Sequence, residues 1–338
     1  MEVFHLFIML AIGNTMNTRN LSLDLLRGLS ILYIVGYWHM FNYTNAFPQY
    51  YNIVTLRITW IVLATFTFVS GYFIGLKNID FSKESIFSFY KNRVLRIYPL
   101  YLVALIIFFV FGMANLFTIS KAAIAVSMFF HPAPPTLWYI TMLLFFYLVS
   151  PLLIMVVKRN KTAHIWVFYV FVSIWLVIIH YVLRTVDVRV ITYFPAFYLG
   201  LLTSIKGDGY IKRSFLVSLI ILGLFVSFAF NQNKLQIDWL LSTILVSTGA
   251  YCVFMFFKNI IELPKTSYFP VFALSYSSYC MYLFHRPIYM VFRKIYFPTN
   301  DIAQVVYLVF FCLPIILISS YYIQKCQDNI LILLTYKD

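Results

Sequence analysis

LDLLRGLSILYIVGYWH, residues 23–39, sets Asp24, Arg27 and His39 into an otherwise continuous hydrophobic run. Such a run suits a membrane-crossing helix, which takes about 20 mostly apolar residues. An ionisable group at bilayer depth costs roughly 3 kcal/mol or more, so it faces a protein interior rather than lipid. An acid, a fixed cation and a titratable imidazole on one span make this the first place to look for chemistry.

The rest of the chain extends that reading. It is 62% hydrophobic and 11% charged, with a strongly positive mean hydropathy, whereas a soluble domain carries about a quarter charged residues. Apolar runs predict about ten spans, at 21–41, 56–76, 97–117, 137–157, 163–183, 190–205, 215–231, 237–257, 271–291 and 302–323. A formal charge of +14 would suit a nucleic-acid partner in a soluble chain. Here the basic residues sit in short gaps between apolar runs, with no extended basic face and no nucleic-acid motif, so no nucleic-acid partner is expected. With the N-terminus inside, sixteen Lys and Arg fall on the cytoplasmic side against six outside, the positive-inside pattern. The expected fold is an all-α membrane protein, a polytopic bundle of about ten transmembrane helices with both termini cytoplasmic and membrane lipids around it.

No gap is long enough for a soluble domain, so any chemistry belongs inside the bundle or at its two faces. Residues 1–15 read as a possible N-terminal extension, apolar but too short to span, and Met16 begins a short polar, basic lead. That leaves an integral-membrane domain over 16–325 and a cytoplasmic tail over 326–338. Cys252, Cys280, Cys312 and Cys326 show no metal-ligand spacing. No metal and no disulfide framework are expected.

Helical arithmetic refines the first span. Asp24 and Arg27, three apart, are neighbours on one face. Arg27 to His39 is twelve steps, which leaves the two about 120° apart on an ideal helix. A shared face needs a bulge, which Gly28 or Gly36 could host. The structural alternative is an Asp24–Arg27 pair at one interface and a snorkelling His39 at the other.

Four further segments hold polar groups, each with its bland reading. FSFYKNRVLRIYPLYL (87–102) carries Lys91, Arg93 and Arg96, either a cationic lip for a polyphosphate or an ordinary basic loop at anionic headgroups. FTFVSGYFIG (66–75) contains Ser70-Gly71, small residues that permit close helix approach or border a substrate channel. In PPTLWYITMLLFFYLVSPLL (134–153), Trp138 and Tyr139 fit an interfacial aromatic belt, while Pro151 could kink the helix to line a cavity. LSYSSYCMYLFHRPIY (274–289) puts Tyr282, His285 and Tyr289 on one helix face, as hydrogen-bond glue or as a carbohydrate-facing wall. His131, His164 and His180, at loop or span edges, read as structural.

In this order the five segments resemble the membrane-bound acyltransferase-3 family, which includes many bacterial O-acetylases of surface polysaccharides. The likeness runs from about residue 17 to 324. LDLLRGLSILYIVGYWH is similar to the family's first helix, FTFVSGYFIG to its Ser-Gly segment and KNRVLRIYPLYL to its basic cytoplasmic loop. LWYITMLLFFYLVSPLL resembles its central helix, and SYSSYCMYLFHRPIY its Ser-Tyr-to-His-x-Pro-Ile helix. The family's first-helix arginine and histidine fall on Arg27 and His39, its loop cations on Arg93 and Arg96, and its late histidine on His285. One departure matters. The family leaves ten residues between arginine and histidine, and this chain leaves eleven.

The resemblance implies transfer of an acyl group, most simply acetyl, from cytoplasmic acyl-coenzyme A to a hydroxyl of a surface glycan or its lipid-linked precursor. Acetyl-coenzyme A would be a cosubstrate, and the setting the bacterial cytoplasmic membrane. A neutral imidazole suits proton removal from a hydroxyl, so His39 is the candidate base, with an acyl-His39 intermediate as a second route. Arg27, held by Asp24, would orient the donor or stabilise oxyanion charge. Arg93 and Arg96 would grip the coenzyme A phosphates, and His285, Tyr282, Trp138 and Ser70 would border the substrate. The rival reading is a transporter or flippase of a glycan or lipid-linked sugar, using the same cavity without covalent chemistry.

Overall fold

The computed structural model describes residues 20–77, 79–160, 162–230, 235–260 and 268–335. The proposed extension over residues 1–15 lies outside them. Of the described residues 84% are helical, and none is in a strand. Thirteen α-helices follow one another among the described residues: α1 Leu21–Tyr33, α2 Ile53–Gly75, α3 Lys83–Val110, α4 Leu116–Ala123, α5 Trp138–Arg159, α6 Thr162–Ile178, α7 Val188–Lys206, α8 Arg213–Ala229, α9 Leu235–Leu241, α10 Thr243–Ile260, α11 Tyr268–Ile295, α12 Asp301–Tyr307 and α13 Leu313–Thr335. The last helix runs through the 325/326 boundary without a break.

Seven helices among the described residues are long and apolar enough to cross a membrane, so this is a multi-pass membrane protein. They are Leu21–Tyr43, Ile53–Gly75, Lys83–Val110, Trp138–Arg159, His164–Val182, Val188–Lys206 and Asp301–Leu333. The sequence reading counts ten. Part of the difference has a plain cause: Arg213–Ala229 is apolar but shorter, and α11 is diluted by its Ser, Tyr and His side chains. Those polar groups belong to the site.

Local chemistry sets the helix starts. The Asn20 side chain accepts from the Ser22 and Leu23 amides and caps α1, and Asp24 in the first turn complements the helix dipole. At α2 the Asn52 side chain caps Val54 and Thr55 while the Thr55 hydroxyl accepts from the Asn52 amide.

Small residues then set the packing. A Cβ on Gly71 would lie 2.2 Å from the Phe197 carbonyl oxygen, and one on Gly200 would lie 2.1 Å from that of Phe68. α2 and α7 thus meet backbone to backbone, which only glycine allows at these two positions. The result is a buried central helix: 83% of the α7 segment is enclosed, against 11% for His164–Val182 and 17% for Asp301–Leu333. Those outer helices turn Val167, Phe171, Ile174 and Phe310 outward, as lipid contact requires.

Candidate active site

α1 does not stay α-helical to its end. Residues Ile34–His39 form a π-helical turn that contains Gly36. A π turn accommodates one extra residue, so the twelve steps from Arg27 to His39 rotate like eleven, or about 20°. The Tyr289 hydroxyl donates to the Val35 carbonyl inside this wide turn, at 3.2 Å. Gly36 leaves room for Leu313, which would sit 3.0 Å from a Cβ there.

The turn delivers His39 to His285 of α11. His285 Nδ1 lies 3.0 Å from the Met281 carbonyl and 2.9 Å from that of Tyr282, and its Nε2 lies 2.9 Å from His39 Nδ1. Carbonyl oxygens only accept, so His285 Nδ1 carries its proton. A neutral His285 then offers a lone pair at Nε2, and His39 must donate to it from Nδ1. His39 Nε2 is left with a free lone pair. His285 is fully buried and His39 nearly so.

Arg27 sits elsewhere. It donates to the Ser278 hydroxyl at 3.3 Å and lies 4.0 Å from Asp24, whose carboxylate accepts from Ser275 at 2.6 Å. Asp24 and Arg27 dock on the serines of α11, with Arg27 twelve residues below His39, a rise of about 18 Å. The structure pairs Asp24 with Arg27 and His39 with His285, and it keeps the two pairs at separate levels.

Arg93 lies over the Tyr147 and Phe89 rings at 5.5 and 5.8 Å, and the Tyr147 hydroxyl donates to Ser70 at 3.3 Å. Arg93 and Ser70 therefore meet through Tyr147, a link the spacing of residues did not reveal. Near Arg96 the backbone is tied to other helices: its carbonyl accepts from Gln327 at 2.8 Å, and that of Ile97 from Tyr279 at 2.7 Å. Lys77, in the turn after α2, joins the group. Burial and then the like charges of Arg93 and Arg96 hold its ammonium below the ordinary lysine value.

At the His39 level a cavity of about 430 Å³ opens. His39, Trp38, Tyr282, Trp138, His131 and Asp187 line it. The Tyr282 hydroxyl donates to the Thr136 carbonyl at 2.8 Å, and its ring lies beside His285. Trp60 and Trp239 stack at 3.9 Å on another part of the wall.

Sequence reading missed the acidic corner of this cavity. Asp187 caps α7, accepts from the Arg189 amide at 2.8 Å and from Arg189 Nε at 2.9 Å, and contacts Arg189 Nη2 at 2.5 Å. The Arg189 guanidinium lies 4.1 Å over the Trp138 ring. His131 Nδ1 stands 3.6 Å from Asp187 Oδ2. Burial works against charge on Asp187, but the Arg189 contacts and His131 outweigh it and hold the carboxyl below its usual value. His180, also on the wall, is tied through Nδ1 to the Val186 carbonyl at 2.5 Å. The only sequence signal was Asp187-Val188-Arg189 at the head of an apolar run.

The fold and the site define a multi-pass helical membrane protein with a buried imidazole pair opening on an aromatic-walled cavity. Residues 20–323 match the acyltransferase-3 family, described as an acyltransferase domain. The chain belongs to that family and is an acyltransferase. No curated protein and no solved structure matches it.

Proposed function

We propose that this acyltransferase moves an acyl group, acetyl in the simplest case, from cytoplasmic acyl-coenzyme A to a hydroxyl of a surface glycan or its lipid-linked precursor. The ten apolar runs each cross the cytoplasmic membrane of a bacterium, with both termini cytoplasmic. The distribution of Lys and Arg supports that orientation. It puts Lys77, Arg93 and Arg96 on the donor side and the cavity at the opposite face.

One observation carries the reading: the hydrogen-bond chain from the Met281 and Tyr282 carbonyls through His285 leaves His39 Nε2 as a base or nucleophile at the cavity wall. Arg27 and His39 are about 18 Å apart along α1, a length that an extended pantetheine arm can follow. Arg93, Arg96 and Lys77 would hold the phosphates at the donor side, with the thioester directed toward His39. Arg27, fixed by Asp24 and Ser278, would border that path. Trp38 and Trp138 would border the sugar in the cavity.

The test is release of free thiol. Purified protein given acetyl-coenzyme A and surface glycan should liberate coenzyme A and raise the glycan mass by acetyl groups, and His39→Ala should abolish both. A flippase releases no thiol. Glycan acetylation at the wild-type level in both His39→Ala and Arg27→Ala cells would end the catalytic assignment.

A further inference from the structure

The cavity holds a second anchored imidazole on another part of its wall. His39 is buried and tied through Nδ1 to His285. His131 lines the same cavity, with 49% of its side chain exposed. Its Nδ1 faces Asp187 Oδ2 at 3.6 Å, slightly beyond hydrogen-bond length, and such contacts tighten in working complexes. Asp187 is 3% exposed and fixed by Arg189, which is itself stacked on Trp138. A neutral His131 that turns its Nδ1 proton to this carboxylate has a free lone pair at Nε2.

We propose that the two imidazoles divide the reaction, His39 carrying the acyl group and His131 accepting the proton of the incoming hydroxyl. The inference rests on the acyl-transfer reading above. In the first half, the His39 Nε2 lone pair attacks the thioester carbonyl carbon. The new N–C bond replaces the C–S bond, whose electron pair leaves on sulfur. Acylated His39 has no lone pair left for a proton, because its Nδ1 is committed to His285. A second base is therefore required. In the second half, the acceptor oxygen attacks the same carbon, the C–N pair returns to His39 Nε2, and the hydroxyl proton passes to His131 Nε2. His131 then gives that proton to water at the cavity mouth, and the thiolate takes one up on its own side. The sum is acyl-coenzyme A plus alcohol giving coenzyme A plus ester.

Asp187 also explains why His131 is chosen over His180, which shares the cavity. His180 has only a backbone carbonyl behind its Nδ1, whereas a carboxylate stabilises the imidazolium formed during proton transfer.

The experiment uses detergent-purified full-length protein, isotope-labelled acetyl-coenzyme A, and water as the acceptor probe. Wild type should release about one thiol per protein in a burst, followed by a slow linear phase. His131→Gln should keep the burst but slow the linear phase by about 10²-fold or more. The label should remain on His39 by peptide mass analysis, and hydroxylamine should clear it, because so strong a nucleophile needs no base. A folded His131→Gln protein with a wild-type linear phase would overturn the proposal. So would wild-type turnover with no burst and no label on His39, although acyl transfer itself would stand. A stalled, labelled enzyme from His180→Gln rather than His131→Gln would also overturn the assignment to His131. Absence of any thiol release from wild type would instead sink the parent reading.

Discussion

His285 Nε2 accepts a hydrogen bond from His39 Nδ1 at 2.9 Å, while its own Nδ1 donates to two backbone carbonyls one turn back. The backbone of α11 thereby fixes the tautomer of a side chain on α1. Replacing His285 with Ala removes that control and leaves a buried Nδ1–H unpaired. We expect thiol release to fall by at least about 10²-fold, as loss of a histidine's orienting partner does elsewhere. His285→Gln, whose amide oxygen can accept from His39, should recover part of the rate. Equal rates in all three proteins would show that the pairing is only packing.

The π turn supplies the second prediction. Deleting one residue within Ile34–His39, such as Val35, should convert the turn to α-helix while leaving both flanks in register. The product should fold and keep measurable thiol release. Inserting one alanine there should rotate His39 by about a further 100° and abolish release. Loss of folding on deletion would mean that the wide turn, not its register, is what α11 packs against.

Close packing of α2 on α7 gives a third. An alanine at Gly71 or Gly200 puts its Cβ about 2 Å from a backbone carbonyl, where nothing can yield without moving a helix. Overpacking of this kind costs about 1–3 kcal/mol or more, and the thermal midpoint in detergent should drop accordingly. At Gly36 the nearest atom is the end of the Leu313 side chain, 3.0 Å from the Cβ. That change should cost markedly less. Equal midpoints for Gly71→Ala and Gly36→Ala would contradict the backbone-contact account.

Asp187 sets an acid limit. Its carboxyl lies below the ordinary value in the folded protein, because the Arg189 contacts and His131 outweigh burial. A carboxyl depressed on folding contributes stability that is present above its unfolded pKa of about 3.9 and lost as pH falls through the folded value. The thermal midpoint of Asp187→Asn should therefore lie below wild type at neutral pH. The gap should narrow as pH drops from about 4 toward 2. A gap that stays constant across that range would remove the charge from the explanation.

Much of the fold was legible because the bilayer demands it: a spanning segment must be long, apolar and helical to satisfy its own backbone. The likeness to the acyltransferase-3 family was legible too, since five short motifs kept their order along the chain. At α11 a site and an expected span coincide, since Ser275, Ser278 and His285 lie on the helix Tyr268–Ile295 that covers the run at 271–291. The acidic corner stayed hidden because His131 and Asp187 are 56 residues apart in the chain, and no periodicity links a loop histidine to a helix cap.

The sequence by itself determined that this is a multi-pass helical protein, that Asp24 and Arg27 share a helix face, and that His39 stands one position late. The first two follow from hydropathy and from the fixed rotation per residue, and the third from the resemblance, whose spacing between arginine and histidine is one residue shorter. Only the tertiary structure decided that a π turn absorbs the extra residue, that His39 meets His285, and that His131 and Asp187 share their cavity. Each of these depends on how helices distant in the chain pack. That in turn depends on which side chains fill the space between them, and local spacing does not carry that information.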